Sequence, residues 1–182
     1  MKTYAALLRA VNVTGRKMPM AELRQVLTGL GYDGVRTHLQ SGQAVFGTDH
    51  GDEESLAAEI SRALEQRFGF RVDTLVRDHT YLKAVADACP FPAADLEPRQ
   101  LHVTYFSEPA DPAGYADIDL AAHLPEEFRL GDRVLYLYAP VGLGRSKLAE
   151  TLSRPRRTKD VIATSRNWNT VLKLVELTAP AA

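Results

Sequence analysis

Cysteine is almost missing from this chain of 182 residues: Cys89 stands alone. No internal disulfide can form, which suits a reducing compartment, and the cytoplasm is the expected location. Cys89 has no second thiol and no nearby His, so a soft-metal site is not expected. Long apolar runs are also lacking. No stretch approaches the eighteen apolar residues of a membrane span, so no membrane partner is expected. The opening MKTYAALLRAVN has only a brief apolar run, broken by Arg9 and Asn12, so no secretory leader is expected. Charge of one sign is missing too. A formal net charge of -1 excludes a generic polyanion binder. The chain has no HExxH, no paired Cys and no GxSxG. His38, His50, His79, His102 and His123 show no ligand spacing, and Asp111, Asp117 and Asp119 lack the hard-metal loop pattern. No metal is expected, no cofactor is specified, and no residue announces acid–base chemistry.

A core, however, is present. Apolar residues make up 45% of the chain and charged residues 25%, an ordinary globular balance for one domain or two packed halves. Tyr4 to Arg9 predicts a strand, then a loop to Pro19, then a helix carrying Leu23, Val26, Leu27 and Leu30 and ended by Gly31. Asp33 to Leu39 and Gln43 to Phe46 predict two strands around a QSG turn, with Val35, Thr37 and Leu39 sharing a face. Leu56, Ile60, Ala63, Leu64 and Phe68 mark a second helix, stopped by Gly69, and Phe70 to Val76 a fourth strand. The order β-α-β-β-α-β is the ferredoxin-like plan. Asp78 to Ala88 predicts a third helix, broken by CPFP. Beyond it come a strand at Leu101 to Phe106, a short helix near Asp117 to Ala122, a hairpin at Glu127 to Tyr138 and a helix carrying Leu148 and Leu152. SRPRRTK is too polar to be core, and the last helix starts near Trp168 with Val171, Leu172 and Val175 on its apolar arc. The expected fold class is α+β: two ferredoxin-like halves, each an antiparallel sheet with helices on one face. The expected boundaries are 1–77, a linking segment 78–99, and 100–182. No internal sequence repeat is evident.

Charge is uneven along the chain. Lys2, Arg9, Arg16 and Lys17 precede Met20 with no acid among them. From Arg145 to Lys173 eight basic residues face only Glu150 and Asp160. The two basic ends make one positive patch if they meet in space. Three polar segments attract interest. In RAVNVTGRKMP, Asn12 and Gly15 permit unusual backbone angles, and Arg9, Arg16 and Lys17 bring charge. In GLGRSKL, Arg145, Ser146 and Lys147 cluster at a helix start, but the Walker pattern is absent, leaving an anion nest or a plain Gly-rich turn. In SRNWNTVLKL, Asn167 caps the first turn and Trp168 anchors the helix, while Arg166 and Asn169 add donors beside unpaired amides that suit a phosphate or carboxylate. A fourth stretch, QSGQ, is chiefly turn chemistry, though Gln40, Ser41 and Gln43 are able to hydrogen-bond a ligand.

Four ordered signatures resemble the bacterial family catalogued as domain of unknown function 1697. They are LLRAVNVTGRKMPMAELR from Leu7, VRTHLQSGQAVF from Val35, GRSKL from Gly144 and SRNWNTVLKL from Ser165. The family usually has Gly-Ile at Ala10-Val11, Gly at Thr14, Tyr at His38 and Asn at Gln43. The resemblance implies two ferredoxin-like halves, no established activity, and shared polar motifs at Arg9, Asn12, Gln40, Ser41, Gly42, Arg166, Asn167, Trp168 and Asn169. The expected function is binding of a phosphate-bearing small molecule. A nucleic-acid backbone is the weaker expectation, because the sheet aromatics that stack on bases are missing. An enzyme with a pocket between the halves, or a structural homodimer, are the alternatives. The expected structural residues are Trp168, Gly15 and Gly42. Nothing in the sequence ranks dimer against monomer.

Overall fold

The structure is a computed structural model that describes residues 1–40, 42–49 and 51–180. The chain divides into two units, residues 1–83 with the segment from Leu174 onward, and residues 84–173.

In the first unit β1 (Lys2–Leu8), α1 (Met20–Gly29), β2 (Asp33–His38), β3 (Gln43–Thr48), α2 (Glu53–Phe68) and β4 (Thr74–Asp78) follow one another. The sheet order is β2-β3-β1-β4, with every pair antiparallel. This is the ferredoxin-like arrangement the element order predicts. Strand parity sets the core. Tyr4, Ala6, Leu8, Ala44, Phe46 and Val76 share one buried cluster with Leu23 and Leu27 of α1 and Leu56, Ile60 and Leu64 of α2. Each fully buried Leu or Ile contributes about 1.5–3 kcal/mol. Phe46 stacks on Tyr32 with ring centroids 4.4 Å apart. Residues of the opposite parity, Ala5, Leu7, Val45 and Leu75, are buried as well. Burial on both faces is why β1 reads as a continuous apolar run instead of an alternation.

Helix α2 shows how local chemistry defines an element. Asp52 accepts the Ser55 N–H at 2.9 Å, Glu53 and Glu54 sit in the positive first turn, and Gly69 ends the helix at φ +76°. Leu39 departs from the expected strand face. Its φ is +57° and it is exposed, because β2 has already ended at His38.

Helix α3 (His79–Asp87) starts without a linker after β4, capped by Asp78, whose carboxylate accepts the Tyr81 N–H at 2.8 Å. The second unit repeats the first sheet: β5 (Leu101–Phe106), β6 (Glu127–Gly131), β7 (Val134–Tyr138) and β8 (Ala163–Asn167) are ordered β6-β7-β5-β8. Helix α4 (Lys147–Leu152) connects β7 to β8, and α5 (Trp168–Thr178) follows β8 directly. Where the first half places a crossover helix, the second has two 3-10 turns, Pro112–Tyr115 and Leu120–His123. Phe106, Tyr115, Phe128, Leu135, Leu137, Leu148 and Leu152 form its core.

Further segments differ from the sequence expectation: the fourth strand, expected from Phe70 to Val76, runs from Thr74 to Asp78. Strand β8 has no apolar alternation to announce it, since its inward positions are Thr164 and Arg166. The polar SRPRRTK segment is anchored to the core through Arg157. That guanidinium lies 5.7 Å from the Tyr115 ring centroid and donates to Asp117 at 2.9 Å, and its side chain is only 2% exposed. On α5 the buried arc is Trp168, Val171, Leu174 and Thr178, and Leu172 is exposed.

Candidate functional site

The loop joining β1 to α1 has an unusual backbone. Ala10, Asn12, Thr14 and Gly15 all have positive φ, at +52°, +56°, +22° and +79°. Such angles are costly for residues with a Cβ and persist only where the surroundings hold them. Glycine at Gly15 meets no such cost, whereas Ala10, Asn12 and Thr14 do. Asn12 is what holds the loop. Its Oδ1 accepts the Met18 N–H at 2.8 Å, and its Nδ2 donates to the carbonyls of Met18 at 3.1 Å and Gln40 at 2.7 Å. The amide orientation follows from these partners, one donor and two acceptors. A tight turn, closed by Asn12 N–H to Arg16 O at 2.8 Å and Arg16 N–H to Val13 O at 3.0 Å, fixes Arg16.

Asn12 also ties this loop to the β2–β3 turn, so two of the polar segments found in the sequence meet. Gly42 completes the contact at φ +83°, with its carbonyl accepting the Leu8 N–H at 2.7 Å. A Cβ there would lie 2.3 Å from Val11 Cγ2 and 3.0 Å from Leu8 Cβ, so only glycine fits. Gln43 is fully buried on the Leu7 and Val45 face of the sheet, opposite the face that packs on α1 and α2, and pairs with Leu7. Ser41 and His50 lie outside the described residues.

Beside the loop is a hollow of about 280 Å³ lined by Arg9, Ala10, Arg16, Arg71 and Asp73. Asp73 organises it. Its backbone carbonyl accepts the Arg9 N–H at 2.9 Å, and its carboxylate lies 3.0 Å from Arg71 Nε and 3.7 Å from Arg9 Nη1. Three guanidiniums against one carboxylate leave a formal charge of +2. Arg9 is half exposed and Arg71 is 79% exposed, so these ion pairs hold orientation more than they add stability. Arg16 also lines a second, larger hollow of about 740 Å³, formed by residues 12–21, Lys17 included, and Gln40. Sequence reasoning missed Arg71. It lies in the segment before β4, where Val72 is buried and Arg71 is exposed, so no strand pattern points to it.

The second-unit candidates have local partners. Ser146 caps α4 by accepting the Ala149 N–H at 2.8 Å, and the buried carboxylate of Glu126 accepts the Leu148 N–H at 3.1 Å. The amides of this helix start are thus met by the protein's own groups, while Arg145 and Lys147 are exposed. Arg166 is buried in β8. Its Nη1 donates to Thr164 Oγ1 at 2.6 Å and to the Ser165 carbonyl at 2.8 Å. Burial pulls its pKa down to about 10, which leaves it charged at neutral pH. Asn167 caps α5 by accepting the Thr170 N–H at 3.0 Å. Trp168 is buried and Asn169 is exposed.

This junction occurs twice. In β4, Arg77 is buried at the penultimate position. Its Nη1 bonds the Val76 carbonyl at 2.8 Å and the Glu53 carboxylate at 3.3 Å, and Asp78 caps α3 as Asn167 caps α5. An Arg-Asx pair ending each fourth strand was the available signal, at Arg77-Asp78 and Arg166-Asn167.

Among the described residues no group of three or more His, Cys, Asp or Glu is placed to hold a metal, and no helix is long and apolar enough to cross a membrane. A family model described as "Protein of unknown function (DUF1697)" matches residues 1–136. Among solved structures, the chain is similar to the conserved bacterial protein SP0830 from Streptococcus pneumoniae. The TM-score is 0.78 with 20% identity, over 98% of each chain, and at that identity the likeness is one of fold. No curated protein matches the chain.

Proposed function

We propose that this chain, which belongs to the DUF1697 family of proteins of unknown function, binds a small phosphate-bearing anion in the hollow of Arg9, Arg16 and Arg71. The observation that carries this proposal is the convergence of three guanidiniums beside a loop held in left-handed conformations. Planar guanidiniums match phosphate oxygens two at a time. Asp73 orients two of them in advance, and Asn12 fixes the turn that carries the third, so little ordering cost falls on binding. Strain retained in a loop by surrounding hydrogen bonds is a pattern typical of ligand sites. Arg166 and Asn167 serve the strand–helix junction, so the ligand assignment rests on the first-unit arginines. A single compact hollow and a net charge of -1 favour a small ligand over a nucleic-acid backbone, which needs a track of cations. The lone free Cys89 suits the reducing cytoplasm in which we propose the protein acts.

Calorimetric titration with inorganic phosphate at low and high salt tests this. Binding is expected to weaken with salt, to fall at least tenfold in Arg71→Ala and to recover partly in Arg71→Lys. Arg71 is exposed, so its replacement leaves the fold intact. Wild-type affinity in Arg71→Ala and Arg16→Ala refutes the site.

A further inference from the structure

We infer that the anion held by Arg9, Arg16 and Arg71 is the head of a larger ligand, whose aliphatic portion lies in the adjoining hollow between the β1–α1 loop and Gln40. This inference rests on the anion site proposed above and extends it to a ligand class, an organic phosphate with an apolar tail. The two hollows share Arg16, so they adjoin at that side chain. The second hollow carries Val13, Met18, Pro19, Met20 and Ala21 and has neither an aromatic ring nor an acidic residue in its wall. Val13 is 52% exposed, an apolar side chain left open to water beside two cations. Met20 is only partly buried, and a methionine side chain adapts to the shape of an apolar guest. With Arg16 and Lys17 among its lining residues, the hollow repels a cationic amphiphile and accepts an anionic one. The absence of a ring argues against stacking on a nucleobase and for contact with a methylene chain. The floor is rigid. Met18 is buried, and both its backbone N–H and its carbonyl are bonded to Asn12, so the hollow exists before a ligand arrives.

The test compares inorganic phosphate, glycerol phosphate and hexyl phosphate, each titrated calorimetrically into the full chain and into Ala21→Trp. Ala21 is exposed in the first turn of α1, and the larger side chain fills the hollow without entering the core. Hexyl phosphate is expected to bind at least tenfold tighter than glycerol phosphate, a gain that two buried methylenes supply. In Ala21→Trp that gain is expected to vanish while inorganic phosphate binds as before. Equal affinities for the two esters overturn the inference and leave the anion site standing. A hexyl preference that survives Ala21→Trp also overturns it, because the chain then lies elsewhere. Failure of all three probes to bind removes the anion site and this inference together.

Discussion

Replacing Gly42 with Ala tests how the two polar loops are joined. The added Cβ meets two costs. The backbone stays at φ +83°, which carries about 1–2 kcal/mol for a residue with a Cβ. The Cβ also arrives 2.3 Å from Val11 Cγ2 and 3.0 Å from Leu8 Cβ, an overpacking worth about 1–3 kcal/mol. The expected loss is therefore about 2–5 kcal/mol. Gly69 supplies the control. It has φ +76°, but a Cβ there meets nothing within 4 Å, so Gly69→Ala carries only the backbone cost of about 1–2 kcal/mol. Urea unfolding followed by Trp168 fluorescence and by far-UV circular dichroism measures both, compared as midpoint shifts because two units need not unfold together. For a chain of this length each kcal/mol moves the melting temperature by about 2–4 °C. On a Val11→Ala background the nearest clash is gone, and the cost of Gly42→Ala should fall toward that of Gly69→Ala. If Gly42→Ala costs no more than Gly69→Ala, or if Val11→Ala leaves its cost unchanged, the close approach described here is wrong.

Asn12→Asp keeps the acceptor for the Met18 N–H but turns a carboxylate oxygen toward the carbonyls of Met18 and Gln40, so it should destabilise more than Asn12→Gly, measured by urea unfolding. Trp168→Ala should cost about 3–5 kcal/mol through lost packing, read from the same unfolding curves, while Asn169→Ala at an exposed position should stay within about 0.5 kcal/mol. His102 gives a pH dependence. Burial holds its imidazole below the ordinary 6.5, so the unfolded chain binds more protons. Its contribution is complete above pH 6.5 and is lost as pH falls from there through the lower folded value. Stability measured by urea titration should decline over that window, and His102→Leu should remove this part of the slope.

Much of the fold was legible because its signals are local. Asp52 and Gly69 bracket α2 by chemistry a few residues wide, and the stripe of Leu56, Ile60 and Leu64 needs only helical spacing. The β6–β7 hairpin is legible too, but one residue off: its turn is Asp132-Arg133, with Arg133 at φ +53°, because Gly131 still pairs with Val134 as the last residue of β6. Strand β8 was illegible because its buried residues are Thr164 and Arg166, which satisfy their polarity through neighbours instead of by being apolar. Half of the candidate site was legible as well. Arg9, Arg16 and Lys17 stand in one visibly basic loop, whereas Arg71 reaches the same hollow from a segment more than fifty residues away.

The sequence alone determined the strand and helix order of the first half, the caps, and the basic character of the β1–α1 loop, since propensity, parity and capping act over one turn or one strand. Only the tertiary structure decided what each polar side chain does. Asn12 clamps a loop, Arg166 lies inside a sheet, Glu126 meets the start of α4, and Arg71 joins Arg9 around Asp73. The reason is physical. A polar group takes its role from the partner that meets its hydrogen bonds and charge, and these partners lie far along the chain or across a sheet, where no local pattern reaches.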